Sequence, residues 1–184
     1  MRISGGKWGG RVIKTPPKGV RPTQERVREA LFSILGAALS DRTVLDLFAG
    51  TGALGLEAWS RGAGRVVWVE QDPPTHKILH SNVRLLCGEA VARGCVKADV
   101  FSYLRRCAER YDFILADPPY SKHTAPFDTH RYLDTVHSQG CLNPEGLLIL
   151  EQRASQPVHS HPAWTVRKER KYGEARIIFY APVT

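Results

Sequence analysis

The stretch that decides the fold occupies residues 44–55 and reads VLDLFAGTGALG. Its apolar first half is typical of a short buried strand, and Gly50, Gly52 and Gly55 follow with the spacing G-x-G-x-x-G ahead of a helix. Glu70 lies twenty residues beyond Gly50, at the end of the next apolar run. Glycines let a ligand approach the backbone closely, and a carboxylate at the second strand end can accept hydrogen bonds from both hydroxyls of a ribose. The stretch therefore predicts a nucleoside cofactor in a Rossmann-type crevice, and a dinucleotide would also fit.

Strand and helix patterns alternate through the middle of the chain. Five apolar runs fit strands, at residues 44–48, 65–70, 95–98, 111–116 and 147–151. Because such alternation produces parallel, doubly wound sheets, we expect an α/β Rossmann-like domain with helices on both faces of the sheet. Residues 164–171 and 175–180 read as two further strands with three residues between them, which predicts a C-terminal antiparallel hairpin. The expected sheet is mostly parallel and seven-stranded.

The excess positive charge is concentrated at the amino terminus. The 184 residues include 26 Lys+Arg and 18 Asp+Glu, for a net charge of +8. Residues 1–28 hold eight of the basic residues and one acid, so the rest of the chain is nearly neutral at +1. Such a cluster indicates contact with a polyanion, although a solvated basic segment has the same composition. The candidate contacts are Arg2, Lys7, Trp8, Arg11, Lys14, Lys18, Arg21 and Arg26.

The same region predicts a small extension of the domain. Residues 2–4 and 11–15 read as two short strands joined by a glycine-rich turn, which indicates a β-hairpin. Trp8 in that turn can stack on a nucleic-acid base or pack within the turn itself. We therefore expect a basic N-terminal extension at residues 1–22 and a cofactor-binding domain at residues 23–184.

Composition argues against several other classes. No apolar run approaches the ~20 residues that span a bilayer, and the amino terminus lacks the apolar stretch of a secretory signal. The cysteines lack the paired spacing of a metal site and are interpreted as reduced thiols; they are Cys87, Cys95, Cys107 and Cys141. We expect a cytoplasmic protein that acts as a monomer, without metal or membrane contact.

Two further acids narrow the choice of cofactor. Asp46 stands inside the strand end, four residues before Gly50. A buried acid there would repel a pyrophosphate, whereas it suits a cationic ligand such as a sulfonium with its ammonium group; the alternative is an acid that caps the loop. Asp99 follows the third strand, where it can accept a hydrogen bond from an adenine amino group, cap the helix that starts near Phe101, or do both.

The fourth strand ends in the tetrad D-P-P-Y at residues 117–120. Two successive prolines remove two backbone donors, so the local polar groups are acceptors. Asp117 and the carbonyl of Pro118 can each accept a hydrogen bond from an amine on an aromatic ring, and Tyr120 can stack on that ring. Accepting those protons stabilises the positive charge that develops as the nitrogen attacks. The alternative is a tight turn with a surface tyrosine.

These motifs together resemble a known family. Residues 46–52, Glu70, Asp99 and residues 117–120, in this order, resemble class I S-adenosylmethionine-dependent amino-methyltransferases. The flanking sequence resembles, over essentially the whole chain, the RsmD-type 16S ribosomal RNA guanine-N2 methyltransferases. The segments that carry this closer resemblance are RISGG at 2–6, RPT at 21–23, RVREALFSIL at 26–35 and KYG at 171–173.

The resemblance implies a reaction and assigns residues to it. It implies transfer of a methyl group from S-adenosyl-L-methionine to the exocyclic N2 of one guanine, 966 in the conventional numbering of 16S rRNA, on the small ribosomal subunit. The base would be flipped toward Asp117, Pro118 and Tyr120, and the transfer would be direct and in line. The implied cofactor-binding residues are Asp46, Phe48, Gly50, Thr51, Gly52, Glu70, Gln71, Asp99 and Val100, with Pro22 and Thr23 covering the cofactor.

Three other functions stay open at this point. A dinucleotide oxidoreductase that uses NAD explains the glycines and Glu70, but it leaves Asp46, the D-P-P-Y tetrad and the basic region without a role. An adenine-N6 DNA or RNA methyltransferase shares the tetrad and differs mainly in what the basic region recognises. A non-catalytic RNA-binding protein is the third alternative, and the full set of acids argues against it.

Overall fold

The computed structural model describes residues 1–16, 22–119 and 127–183, and for residues 22–24 it describes only their place in a helix. Seven strands form one sheet. They are β1 (Thr43–Leu47), β2 (Arg65–Glu70), β3 (Cys95–Lys97), β4 (Tyr111–Ala116), β5 (Leu142–Arg153), β6 (Trp164–Tyr172) and β7 (Ala175–Pro182). The sheet order is β3-β2-β1-β4-β5-β7-β6. The first five strands in that order are parallel, and β7 runs antiparallel to both β5 and β6, as the sequence predicts.

Helices cover both faces of the sheet. They are α1 (Pro22–Leu35), α2 (Ala53–Ser60), α3 (Pro73–Cys87), α4 (Glu89–Ala92), α5 (Val100–Leu104) and α6 (Thr129–Gln139). Successive strand side chains point to opposite faces, so Val44 joins the apolar cluster under α1, α2 and α3, while Leu45 joins the cluster under α5 and α6. No described helix is long and apolar enough to cross a membrane.

The order of the strands creates a crevice at one edge of the sheet. From β1 the chain continues to β2 and β3 on one side, and β4 then returns to pair with β1 on the other side. Helices on opposite faces leave a gap beyond the carboxyl ends of β1 and β4, which is where open α/β sheets bind ligands. Leu47 pairs with Ala116, and Ala116 pairs with Leu150. This register brings Phe48, Asp117 and Glu151 to the same edge.

The N-terminal hairpin is shorter than predicted. The two predicted strands are reduced to one antiparallel bridge, Arg2 with Val12, and a 3-10 helix at Gly6–Trp8 forms the turn. The physical reason is that the backbone amides of Ser4 and Gly5 donate to the side chain of Glu57 on α2 instead of to a partner strand. The buried residues Ile3 and Ile13 join the core, so residues 1–16 pack on the domain.

The fifth strand is longer than predicted. The Pro-Glu-Gly sequence at residues 144–146 favours a turn, yet β5 begins at Leu142. The structure accommodates those residues by a register shift against β4, between the pairs Tyr111–Leu142 and Phe113–Leu147. Such an irregularity is how a sheet tolerates proline and glycine inside a strand.

Candidate active site

The glycine loop connects β1 to α2 and is held by Glu70. The backbone N–H of Gly50 donates to Glu70 Oε2 at 2.9 Å, and the N–H of Asp72 donates to Oε1 at 2.7 Å. Gly52 has a φ of +89°, in the left-handed region that favours glycine. At Gly55, an added Cβ would clash with the indole ring of Trp68 on β2, so this glycine allows α2 to pack closely on the sheet. Gly52 is therefore required for its backbone conformation, and Gly55 for the close contact between α2 and β2.

Asp46 is buried beneath that loop, with 1% of its surface exposed. Its Oδ2 accepts a hydrogen bond from the N–H of Gly55 at 2.8 Å, so the loop-capping contact exists. Oδ1 is also buried, and it has no hydrogen-bond partner within the part of the chain that the structure describes. Burial raises the pKa of Asp46 to about 8, although the Gly55 hydrogen bond acts in the opposite direction and the nearby Asp117 and Glu70 add to the rise. The Oδ1 atom of this carboxyl can still accept a hydrogen bond from a cationic group of a ligand.

Two more acids lie beside Asp46: Asp117 directly follows β4, and Glu151 lies within the last part of β5. Burial raises the pKa of Asp117 to about 6. Burial and then the proximity of Asp117 raise the pKa of Glu151 to about 8. Asp46, Asp117 and Glu151 line a cavity of about 190 Å³ together with Phe48 and the glycine loop. Carboxyls with raised pKa values around one cavity are typical of a functional site, and they favour a cationic ligand.

Sequence reasoning missed Glu151. Its signal is weak, because it is one acid at the end of the apolar run 147–150 and matches no motif. The register of β5 beside β4 makes it a neighbour of Asp117, and that pairing depends on residues more than thirty positions apart.

Pro118 and Pro119 follow Asp117, and Phe127 belongs to an aromatic cluster beside Phe48. Pro118 is buried and Pro119 is exposed, while Tyr120 lies outside the described residues. The ring of Phe127 contacts that of Phe48 edge-on at 5.4 Å between centroids. Phe48 has a φ of +59°, which is uncommon for a bulky residue and indicates local backbone strain beside the site.

The remaining predicted cofactor residues lie around the same edge. Asp99 is exposed, and its Oδ1 accepts a hydrogen bond from the N–H of Ser102 at 2.9 Å, so it caps α5. Gln71 is exposed, Val100 is buried, and the side chain of Thr51 is nearly buried. Pro22 and Thr23 open α1, and nothing is described of their side chains.

The predicted nucleic-acid contacts differ in their exposure. Five cations are exposed on the described surface, and they are Arg2, Lys7, Arg11, Lys14 and Arg26. Trp8 is half-buried and packs against the core, as the alternative of turn packing requires. Lys18 and Arg21 lie outside the described residues. Arg28, which contributes to the amino-terminal charge, is buried and forms an ion pair with Glu57 at 3.5 Å.

One group of three potential metal ligands occurs among the described residues, formed by His130, Asp134 and His161. The N–H of Ala163 donates to His161 Nδ1 at 3.1 Å, so Nε2 carries the ring proton. That Nε2 lies 2.8 Å from Asp134 Oδ1 and donates to it. Because a protonated nitrogen offers no lone pair to a metal, the arrangement suits a hydrogen-bonded contact between α6 and the chain before β6.

The raised pKa of Asp46 predicts a pH dependence of stability. A carboxyl with a raised pKa is neutral in the folded chain while its unfolded form is ionised, so stability falls as pH rises between the two values. For Asp46 this window runs from 3.8 to about 8. We expect the free energy of unfolding to fall across this window relative to that of Asp46→Asn, as measured by urea titration at several pH values. The exposed substitution Glu89→Gln is the control, and an equal slope in all three proteins would contradict the prediction.

The sheet order, the glycine loop and the acid-lined crevice together define a Rossmann-like methyltransferase fold. A family model described as "Conserved hypothetical protein 95" matches residues 1–181. A relative from Escherichia coli strain K12, "Ribosomal RNA small subunit methyltransferase D", is 32% identical over 182 residues, which cover 98% of this chain and 89% of the relative. The chain therefore belongs to the ribosomal RNA small subunit methyltransferase D family.

Solved structures agree with this assignment of the fold. "Putative methyltransferase yhhF from Escherichia coli" superposes with a TM-score of 0.83 and 31% identity, covering 99% of this chain and 97% of that one. A Thermus thermophilus structure described as "16S rRNA N2 G1207 methyltransferase (RsmC) in complex with AdoMet and Guanosine" superposes with a TM-score of 0.75 and 26% identity. The match covers 100% of this chain and 49% of that chain.

Proposed function

We propose that this protein is an S-adenosyl-L-methionine-dependent methyltransferase that modifies the exocyclic N2 amine of one guanine in 16S rRNA of the small ribosomal subunit. The observation that carries the proposal is the crevice lined by Asp46, Asp117 and Glu151 beyond a glycine loop. The names of the E. coli and T. thermophilus relatives support the rRNA substrate, and the guanosine bound by the latter supports guanine. A ribosomal substrate also agrees with the cytoplasmic location expected from the sequence.

The residues present fit this cofactor. S-adenosyl-L-methionine supplies a methyl group on a sulfonium, and its methionine end carries an ammonium group. The unpartnered Oδ1 of Asp46 is an acceptor available to such a cationic donor, and the other two acids add negative potential when ionised. Glu70 and Asp99 would accept from the ribose hydroxyls and the adenine amine, at the ends of β2 and β3. The same acids, when ionised, would repel a pyrophosphate, which argues against the NAD alternative.

Asp117 would orient the target amine. As the N2 nitrogen forms its bond to the methyl carbon, it must lose one proton, and an ionised carboxylate is available to accept that proton or to hold the amine through it. A pKa of about 6 leaves Asp117 largely ionised above pH 7. Because the crevice lies at the buried end of β4, a base stacked in an RNA helix could not reach it, so the guanine would have to be flipped out.

Methyl transfer to ribosomal subunits tests the proposal. The purified protein would be incubated with radiolabelled S-adenosyl-L-methionine and small subunits from a strain that lacks the corresponding enzyme. We expect label in one N2-methylguanosine of 16S rRNA, located by primer extension and mass spectrometry. Label in N6-methyladenosine, or transfer to free DNA and not to subunits, would favour the adenine-N6 alternative. Calorimetric binding of NAD without binding of S-adenosyl-L-methionine would favour the oxidoreductase.

The N-terminal extension, residues 1–22, would contact the RNA. Its exposed cations Arg2, Lys7, Arg11 and Lys14 surround a backbone that is anchored on the domain, residues 23–184, so they would meet phosphates from a fixed support. Truncation would be a poor test of this role, because it would also remove Ile3 and Ile13 from the core.

Neutralising exposed cations gives a sharper test. We expect the triple variant Lys7→Gln, Arg11→Gln and Lys14→Gln to bind small subunits more weakly. The slope of log affinity against log salt should become shallower by roughly 0.7–0.9 for each phosphate that the variant no longer neutralises. Filter binding between about 50 and 200 mM salt measures both quantities.

A matched control for that triple variant uses cations at the other edge of the sheet. Arg42, Arg93 and Arg110 are exposed, and they precede β1, β3 and β4, opposite the crevice. Changing them to glutamine should leave the salt slope close to that of the unaltered protein. An unaltered slope in the N-terminal variant would refute the role of the extension.

A further inference from the structure

Asn82 on α3 joins two segments of the chain that the proposed function assigns to different ligands. Its side chain is buried, with 2% of its surface exposed. Oδ1 accepts a hydrogen bond from the backbone N–H of Lys14 at 2.9 Å. Nδ2 donates to the carbonyl of Lys14 and to the carbonyl of Thr51, each at 3.0 Å. One amide thus binds the N-terminal extension and the glycine loop at the same time.

The chemistry of these contacts requires an amide. Two carbonyls and one N–H call for two donors and one acceptor on a short planar group, and asparagine supplies them all. A carboxylate would face both carbonyls with no proton to donate. An apolar side chain would leave three main-chain groups without this partner in a buried place, where each unmade hydrogen bond is costly. Apolar packing alone would not require an amide at this position, because all three contacts are hydrogen bonds.

The support that carries Asn82 is rigid. Its neighbours on α3, Leu79 and Val83, are fully buried in the core. The helix is capped by Asp72, which accepts from the N–H of Thr75 at 2.9 Å. A helix held in this way gives the amide a fixed support, so a displacement of the glycine loop would act on the hydrogen bonds of Asn82.

Each joined segment leads directly to a proposed binding surface. Thr51 lies between Gly50 and Gly52 in the loop that borders the acid-lined crevice. Lys14 has an exposed side chain among the cations of the extension, although its backbone is held by Asn82. A shift of the loop toward a bound cofactor would change the hydrogen bond of this amide to Thr51, and the other two hydrogen bonds join the same amide to Lys14.

We propose that Asn82 is a positioning residue that couples occupation of the cofactor loop to binding of RNA by the N-terminal extension. The inference rests on the proposed function. Coupling between two ligands is reciprocal, so cofactor raises the affinity for RNA by the same factor as RNA raises the affinity for cofactor. The chain would in this way favour the complex that holds both ligands.

A linkage measurement tests the coupling. The dissociation constant for unmethylated small subunits is measured with and without saturating S-adenosyl-L-homocysteine, for the full chain and for Asn82→Leu. We expect binding to tighten about 5- to 10-fold in the unaltered protein, at the lower end of common coupling factors, and to change less than 2-fold in the variant. Asn82→Asp, which is nearly isosteric, is expected to lose the coupling as well and keeps the test valid if the leucine variant does not fold.

Controls separate this inference from the proposed function. The control Asn143→Leu removes the hydrogen bond that Asn143 Nδ2 donates to Asp112 Oδ1 at 3.0 Å, at the edge of the sheet opposite the crevice. This variant should retain full coupling. Coupling that survives in a folded Asn82→Leu or Asn82→Asp protein would overturn the role of Asn82, as would an absence of coupling in the unaltered protein that binds both ligands. Failure of the unaltered protein to bind S-adenosyl-L-homocysteine would instead overturn the proposed function.

Discussion

Replacing Asp117 with alanine is expected to lower the rate of methyl transfer by roughly 10²–10⁴-fold, the range that one positioned proton acceptor contributes. The N2 amine of guanine is a weak nucleophile, because its lone pair is delocalised into the ring, and it needs an acceptor that stabilises its developing charge. Cofactor affinity should change little, since Asp46 and Glu70 remain. Single-turnover transfer to small subunits measures the first quantity, and calorimetry with S-adenosyl-L-homocysteine measures the second.

The pH profile adds a readout that misfolding would not reproduce. Because burial raises the pKa of Asp117 to about 6 and the ionised form is the active one, the rate should rise with pH through about 6 and level off above it. Asp117→Asn should be slow and lack this step. Asp112→Asn, at the opposite end of β4, is the control and should keep both the rate and the profile. Full activity of Asp117→Ala would remove the catalytic role of this residue.

Replacing Glu57 with alanine is expected to lower the free energy of unfolding by about 3–5 kcal/mol, the cost of removing one partner from a buried ion pair. The Glu57 side chain is fully buried. Its carboxylate accepts from the N–H and hydroxyl of Ser4 at 2.8 and 2.6 Å, from the N–H of Gly5 at 2.9 Å and from Arg61 at 2.9 Å. Arg28, which is also buried, lies 3.5 Å away. Alanine would leave all these donors without the acceptor.

Urea unfolding monitored by circular dichroism measures this loss. Limited trypsin digestion should also cleave the variant faster at Lys7, Arg11 or Lys14, because the extension would no longer be held on α2. Glu29→Ala, at an exposed position of α1, is the matched control and should change stability by less than about 0.5 kcal/mol. An equally small change in Glu57→Ala would show that other contacts hold the extension in place.

Much of the fold could be predicted from local patterns. The runs around Val44, Val66 and Ile114 are apolar because parallel strands are covered on both faces, and turn residues separate them from helices. The prediction was less accurate for the N-terminal hairpin and for the start of β5. In both places a distant group changed the pairing: Glu57 in the first, and the shifted register of β4 in the second.

Some residues of the candidate site could likewise be predicted from sequence, and others could not. Asp46, Glu70, Asp99 and Asp117 could be identified from sequence because each matches a motif by its spacing from the glycine loop or its place in the D-P-P-Y tetrad, near the strand ends that parallel pairing brings to one edge. Glu151 could not, since only the pairing of β5 with β4 makes it a neighbour of Asp117. Arg28 contributes to the amino-terminal excess of charge, yet its ion pair with buried Glu57 makes it part of the interior.

The sequence by itself determined that the glycine loop, Asp46 and Asp117 meet at the crevice, because strand ends and glycine turns are properties of neighbouring residues. Only the tertiary structure decided how these groups are buried, charged and paired. It buries Asp46 and Asp117 so that their pKa values rise, it exposes Lys14 while its backbone is clamped by Asn82, and it turns Arg28 inward. Burial and charge interaction depend on atoms that are close in space and distant along the chain, and a linear pattern does not contain those distances.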